Sequence, residues 1–466
     1  MLQRSLLVLP LIFAVVPHAI AQQALDKIVQ DAAVKAKAPG VVVAVIRNNK
    51  VEFSTSTGFA DLENLVPVTS ASVFQIGSMG KQFTATAIMM LVEERRIALD
   101  EPISKYVTNL PEGWRQIKIR HLLNHTSGLP EYNSMPGFGT LATTKATHDK
   151  WLAFVREAPL QFKPGDDMQY TNTGYYLLGI LIETITKEPL RVTLNRLIFD
   201  PLEMRSTDLY SHNEIVPKRV RGYIFASDRQ QNIGQFDLDW AFAAGAILST
   251  MDDLVRWVNA QGSTKLLKAE SWKAIWAPAV LNNGDLSGYG FGWRLATNNG
   301  NSVIHHGGKI AGFSAQIARY PDKDLAIIVL TNSFTADAKG IAVKIARHFD
   351  PSLEPPGTPT DPIPDPSPKL SAKLESVLKQ LLAGSADRND FEEGFRKDIF
   401  SEEGIKGAKD LSSFGAFSTF VLVVASEEKA AKNRVFTFKI GLEDFVADFT
   451  IDANLRISRL SISRIR

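Results

Sequence analysis

A chain of 466 residues with 45% apolar and 22% charged residues is composed to fold, which excludes a disordered or fibrous protein. Its 52 Lys and Arg against 50 Asp and Glu leave a net charge of +2 with no long run of one sign, so a nucleic-acid partner is not expected, since phosphate binding needs a concentrated basic surface. There is no cysteine, which removes disulfides, thiolate metal sites and cysteine nucleophiles and leaves the chemistry to oxygen and nitrogen.

Arg4, the apolar run from Ser5 to Val16 and the small-residue site Ala19-Ile20-Ala21 read as a signal peptide over residues 1–21, and the product as exported, periplasmic or secreted. About 12 apolar residues fall short of the roughly 20 that cross a bilayer, and no later stretch is longer, so no membrane span is expected once the leader is removed. A helix is predicted from Ala24 to Ala36. Two β runs, GVVVAVIR and KVEFSTSTGF, then meet at Asn48-Asn49 as a hairpin.

From about Ser78 to Trp276 the apolar spacing is mostly helical, as in Phe83, Ile88, Met89 and Leu91. β runs return after Tyr289 as SVIHH, GFSAQIARY and LAIIVLTN, followed by a predicted helix from Asp337 to Phe349. The expected fold is α+β: one antiparallel sheet assembled from both chain ends and flanked by helices, beside a helical lobe, with a cleft between them. Eight prolines in the nineteen residues 350–368 predict a stiff linker. Residues 369–466 then form a separate small α+β domain, one helix from Leu370 to Leu382 and an antiparallel meander, with no catalytic constellation of its own.

Three Ser-x-x-Lys triads occur, at Ser78, Ser376 and Ser426. A reactive serine profits from a helix N-terminus, where free N–H groups and the dipole stabilise an oxyanion. Only Ser78 is expected there. Ser376 falls mid-helix and Ser426 ends a strand. On the helix that follows, Lys81 is one turn from Ser78 and on the same side, so a desolvated amine could serve as its base. Tyr170 and Asn172 form a Tyr-x-Asn before an apolar helix, and His306-Gly307-Gly308 ends a β run. No Gly-x-Ser-x-Gly surrounds Ser78, so the α/β-hydrolase elbow does not apply.

With LDEPISKYV at Leu99, IRHLLNHTSGLPEY at Ile119, FKPG at Phe162, AAGAILSTMDDL at Ala243 and YGFGW at Tyr289, the chain from Gln22 to Phe349 resembles the serine β-lactamase and penicillin-binding protein family. The branch is the one shared by class C β-lactamases, DD-peptidases, D-aminopeptidases and related esterases. The resemblance implies a β-lactamase-like fold over residues 22–349 and an acyl-enzyme on Ser78, without cofactor or metal. Lys81 and Tyr170 would be the proton-handling pair and Asn172 a polar clamp on Lys81 and substrate. His306, Gly307 and Gly308 would line the cleft, with the backbone N–H groups of Ser78 and Lys309 as the oxyanion hole. Substrates would be D-amino-acid peptides, β-lactams, esters or peptidoglycan fragments. His306-Gly307-Gly308 stands where the lactamase branch carries Lys-Thr-Gly, which favours peptidase or esterase activity over efficient β-lactam hydrolysis. If His306 must hold one charge state, kcat/KM should show a limb near pH 6 to 7, as roughly expected of histidine.

The alternative is a non-catalytic module that binds or senses peptidoglycan in the same cleft. His121 and His125 lie four apart but lack the accompanying glutamate of a zinc motif, so they read as structural. His305 should face away from His306 across the sheet, and Tyr289, Phe291 and Trp293 read as core. Gly80 reads as a flexible residue costing about 1 kcal/mol relative to alanine.

Overall fold

The computed structural model describes residues 16–210, 213–234, 236–353, 363–428, 431–441 and 443–464. The chain divides into two compact units, residues 1–355 and 356–466. Residues 1–15 of the predicted leader and 354–362 of the proline-rich stretch lie outside the described residues. The first helix runs over Val16–Lys35, so it begins within the predicted leader.

In the first unit, Gly40–Arg47 and Lys50–Asp61 pair as the expected hairpin, and Asn48 and Asn49 both take positive φ, at +50° and +59°. That is the left-handed pair a two-residue hairpin turn demands. The strand Gly40–Arg47 also pairs with Leu325–Thr331, which joins the N-terminal hairpin to the C-terminal strands Phe313–Tyr320, Asn301–Ile310 and Arg294–Asn298 in one antiparallel sheet. The period-2 alternation of these strands feeds two cores. Val42, Ala44 and Ile328 face the helical lobe, whereas Val41, Val43 and Ile327 face Val29 and Ala32 of the first helix and Ile341 and Ile345 of the helix Ala338–Phe349. Burial on both faces explains why these strands read as almost unbroken apolar runs.

The helical lobe centres on Lys81–Glu93 and Asn172–Thr186, both buried around most of their circumference. Between them lies the short segment Phe242–Gly245, which continues into the strand Ile247–Ser249. This strand pairs with Phe74–Gln75, and Ile76 N donates to Ile247 O at 3.1 Å. The chain leading to Ser78 is thereby fastened to the lobe.

The second unit has the predicted helix, Pro368–Leu382, and the predicted meander of four strands, 417–428, 431–440, 443–452 and 457–464. Leu374, Val377, Leu378 and Leu381 share a core with Phe436, Phe438, Phe445 and Phe449. Two further helices, Glu393–Ile399 and Glu402–Ser412, escaped the sequence reading because they bury little: nothing in the first is buried and only Ala408 in the second. Among the described residues, no helix is long and apolar enough to cross a membrane.

Candidate active site

Ser78 lies on a 3-10 turn, Gly77–Gly80, and the α-helix proper begins at Lys81. The expected helix start is therefore preceded by one tighter turn. Gly77 opens it with φ of +53°, and a Cβ there would come within 3.0 Å of Lys309 N. Only glycine combines that left-handed backbone with so close an approach of the sheet edge.

Lys81 is fully buried and its amine has three acceptors: Ser78 Oγ at 3.2 Å, Asn172 Oδ1 at 2.6 Å and Ala244 O at 2.7 Å. Burial disfavours the ammonium and pulls the pKa down to about 7, Glu131 opposes the fall, and Arg294 adds to it. The Tyr170 ring lies 4.9 Å from Lys81 Nζ. Its hydroxyl oxygen is buried beside Ser78, with no hydrogen bond of good geometry among the described residues. Burial pushes that phenol well above its ordinary pKa, and Ser78 and Arg294 counter only part of the rise. Ser78, Lys81, Tyr170 and Asn172, read from two separated stretches of sequence, thus converge around one amine.

The strand Asn301–Ile310 pairs with Arg294–Asn298 only as far as His305, which frees its edge from His306 to Ile310 to run beside the Ser78 turn. A Cβ at Gly308 would sit 1.8 Å from Ile76 O, so the two backbones touch without side chains between them. His306 is buried, accepts at Nε2 from Tyr289 Oη at 2.8 Å and donates from Nδ1 to Gly307 O at 2.6 Å. Burial and then Lys81 hold its pKa well below the histidine norm. This corrects the expectation of a histidine limb, because a ring with both nitrogens engaged and its charged form disfavoured stays neutral throughout pH 6 to 7. His305 turns to the other face, where its Nδ1 meets Gln316 Nε2 at 3.3 Å.

His121 and His125 do not converge. His121 Nδ1 accepts from Lys118 N at 3.3 Å, while His125 is fully buried with its ring 4.3 Å from that of Tyr170 and Nδ1 accepting from Thr171 N at 3.2 Å. Among the described residues, no cluster of three or more His, Asp or Glu is arranged to hold a metal.

Three participants were missed from sequence. Ala244 contributes only a carbonyl, and backbone groups leave no residue signature. Arg294 is exposed, with its guanidinium 5.3 Å from the Tyr170 ring. Glu131 accepts from Asn172 N at 2.5 Å and Asn172 Nδ2 at 3.3 Å. It lies in the quoted stretch IRHLLNHTSGLPEY, but 41 positions separate it from Asn172, beyond any spacing rule. A cavity of about 440 Å³ is lined by Gln75, Arg219, Phe236, Ala311 and Phe313 among others, and by none of Ser78, Lys81, Tyr170, Asn172 or His306.

This fold agrees with the comparisons. The family model described as Beta-lactamase matches residues 25–348, and the chain belongs to that family of serine hydrolases, which includes β-lactamases and penicillin-binding proteins. It is similar to penicillin-binding protein 4* of Bacillus subtilis (strain 168), 26% identical over 341 residues that cover 69% of this chain and 75% of the relative. It is also similar to protein flp of Staphylococcus aureus (strain N315), 27% identical over 320 residues, 67% of this chain but only 63% of flp. Among solved structures, D-amino acid amidase from Ochrobactrum anthropi SV3 complexed with D-phenylalanine superposes with a TM-score of 0.62 at 28% identity, over 71% of this chain and 98% of that one. The octameric penicillin-binding protein homologue from Pyrococcus abyssi gives 0.64 at 21% identity, over 95% of this chain and 96% of that one, a likeness of fold.

Proposed function

We propose that this protein is an exported serine hydrolase that forms an acyl-enzyme on Ser78 with D-amino-acid amides or peptides, and with esters of similar shape. Residues 1–21 are the leader, 22–349 the catalytic domain, 350–368 the linker and 369–466 an accessory domain. The observation that carries the reading is the Lys81 amine, fully buried, 3.2 Å from Ser78 Oγ and titrating at about 7. An amine with that pKa is in part a free base at neutral pH, where it takes the Ser78 proton as Oγ attacks the acyl carbon.

The oxyanion that forms is held by the N–H groups of Ser78 and Lys309. Tyr170, kept as a phenol by its raised pKa, is the acid: it gives its proton to the leaving nitrogen as the C–N bond breaks and takes the proton held by Lys81. Water then attacks the acyl-enzyme by the same steps in reverse order, and Ser78 is released. The amidase likeness supports amides over β-lactams, and a neutral His306 in place of a lysine weakens the hold on a carboxylate that efficient β-lactam hydrolysis needs. The full set of Ser78, Lys81, Tyr170 and Asn172 supports this reading over the non-catalytic alternative.

The test is turnover of D-phenylalanine amide and a short p-nitrophenyl ester, with intact-mass detection of the penicillin adduct. Activity and adduct are expected in the wild type and absent from a folded Ser78→Ala variant. An adduct that persists in Ser78→Ala, or that maps elsewhere, overturns the assignment.

A further inference from the structure

The amide of Asn172 has one acceptor and one donor end, and its neighbours decide which faces the Lys81 amine. Glu131 is half-buried beside it, and a carboxylate only accepts. Its Oε2 takes Asn172 N at 2.5 Å, and its Oε1 takes Asn172 Nδ2 at 3.3 Å and Asn133 N at 3.0 Å. Three N–H groups therefore fix the carboxylate, one of them in the first turn of the helix Asn172–Thr186, where the helix dipole favours an anion. With Nδ2 committed to Glu131, Oδ1 points to Lys81 Nζ at 2.6 Å. The reverse orientation would set the NH₂ group against an ammonium.

We propose that Glu131 is a positioning residue for the Ser78–Lys81 pair: its carboxylate holds the Asn172 amide with Oδ1 toward Lys81 and supplies the countercharge to the ammonium form. This rests on the reading of Lys81 as the base of Ser78. The other groups around Lys81 are the Ser78 hydroxyl, Ala244 O, the rings of Tyr170 and Tyr175, the neutral His125 and His306, and the exposed Arg294. Of the charged groups acting on the amine, Glu131 favours its protonated form and Arg294 disfavours it. Glu131 thus keeps the base from being neutral too early and keeps it aligned when it is charged.

The experiment is the pH dependence of kcat/KM for D-phenylalanine amide in the wild type, Glu131→Gln, Glu131→Asp and Arg294→Gln, with melting curves and Ser78 labelling alongside. Glu131→Gln should move the acid limb down by about one pH unit, the low end of what a nearby opposite charge does. Its plateau kcat should fall, because one amide cannot accept from all three N–H groups. Arg294→Gln should move the limb the opposite way and by less, since that charge is solvent-exposed. Glu131→Asp keeps the charge and should keep the limb. A Ser78-dependent enzyme whose limb stays in place or rises in Glu131→Gln overturns this proposal alone, while turnover that survives Ser78→Ala overturns the reading beneath it as well. If Glu131→Gln does not melt cooperatively, Glu131→Ala decides in its place: a limb displaced to lower pH supports the role, and one at the wild-type position overturns it.

Discussion

Lys81 on the helical side of the site and His306 on the strand side are both buried, and burial disfavours the charged form of each. The outcomes are opposite because the starting values differ. A lysine begins at 10.5 and is brought to about 7, into the range where a proton can be exchanged. A histidine begins at 6.5 and is carried well below it, out of that range. The same burial that makes the lysine a usable base silences the histidine. In the proposed mechanism the helical side therefore carries the proton chemistry, and the strand side contributes backbone at close range, where its contact with the Ser78 turn is made of Gly308 and Ile76 O rather than of side chains.

The harshest test of this contrast removes the amine. Lys81→Met should lower kcat/KM by roughly 10³-fold, in the middle of what a positioned general base contributes. It should also change how stability depends on pH. Between about 7 and 10.5 the unfolded chain binds a proton at Lys81 that the folded chain does not, so wild-type stability rises with pH across that window. Denaturation of both proteins from pH 7 to 10 should show the wild type gaining on Lys81→Met by roughly 1.4 kcal/mol per pH unit. A parallel pair of curves would mean that the amine is not depressed.

On the strand wall, Gly308→Ala should cost roughly 10²- to 10³-fold in kcat, as removal of one oxyanion donor does. The added Cβ would lie 1.8 Å from Ile76 O, so the strand edge and the Ser78 turn must separate, and Lys309 N moves with the edge. KM should change little by comparison, because the loss falls on the transition state. His306→Gln sharpens the same contrast by what it leaves alone: kcat falls as the Tyr289 hydrogen bond is remade, but the acid limb near 7 stays, since it belongs to Lys81. A limb that disappeared in His306→Gln would return the histidine to the proton accounting.

How much of this was legible in sequence follows the kind of group involved. Ser78, Lys81, Tyr170 and Asn172 were legible through the family resemblance of the motifs that carry them, since a Ser-x-x-Lys alone is a weak signal, and the β runs through their apolar periodicity. Ala244 O, by contrast, acts through the backbone, and its position depends on how Phe242–Gly245 is packed between the helices Lys81–Glu93 and Asn172–Thr186. Glu131 depends on a pairing across 41 residues. The charge state of His306 could not be read either, because it turns on burial and on Tyr289 and Gly307 O, which consume both nitrogens.

The smallest expected effect concerns Gly80, which the sequence presents as a flexible weak point and the structure presents as a packing constraint. Its φ of −58° and ψ of −23° are helical, so alanine needs no change of backbone. An added Cβ would meet Ile247 Cδ1 at 3.3 Å, however, closer than side chains normally approach. The helix propensity gained, about 1 kcal/mol, is therefore offset by the shift forced on Ile247, and Gly80→Ala alone should change stability by less than about 0.5 kcal/mol. In an Ile247→Val background Cδ1 is gone, and the same substitution should then stabilise by about 0.5–1 kcal/mol. Equal effects of Gly80→Ala in both backgrounds would show that Ile247 does not press on this turn, and the flexible reading of Gly80 would return.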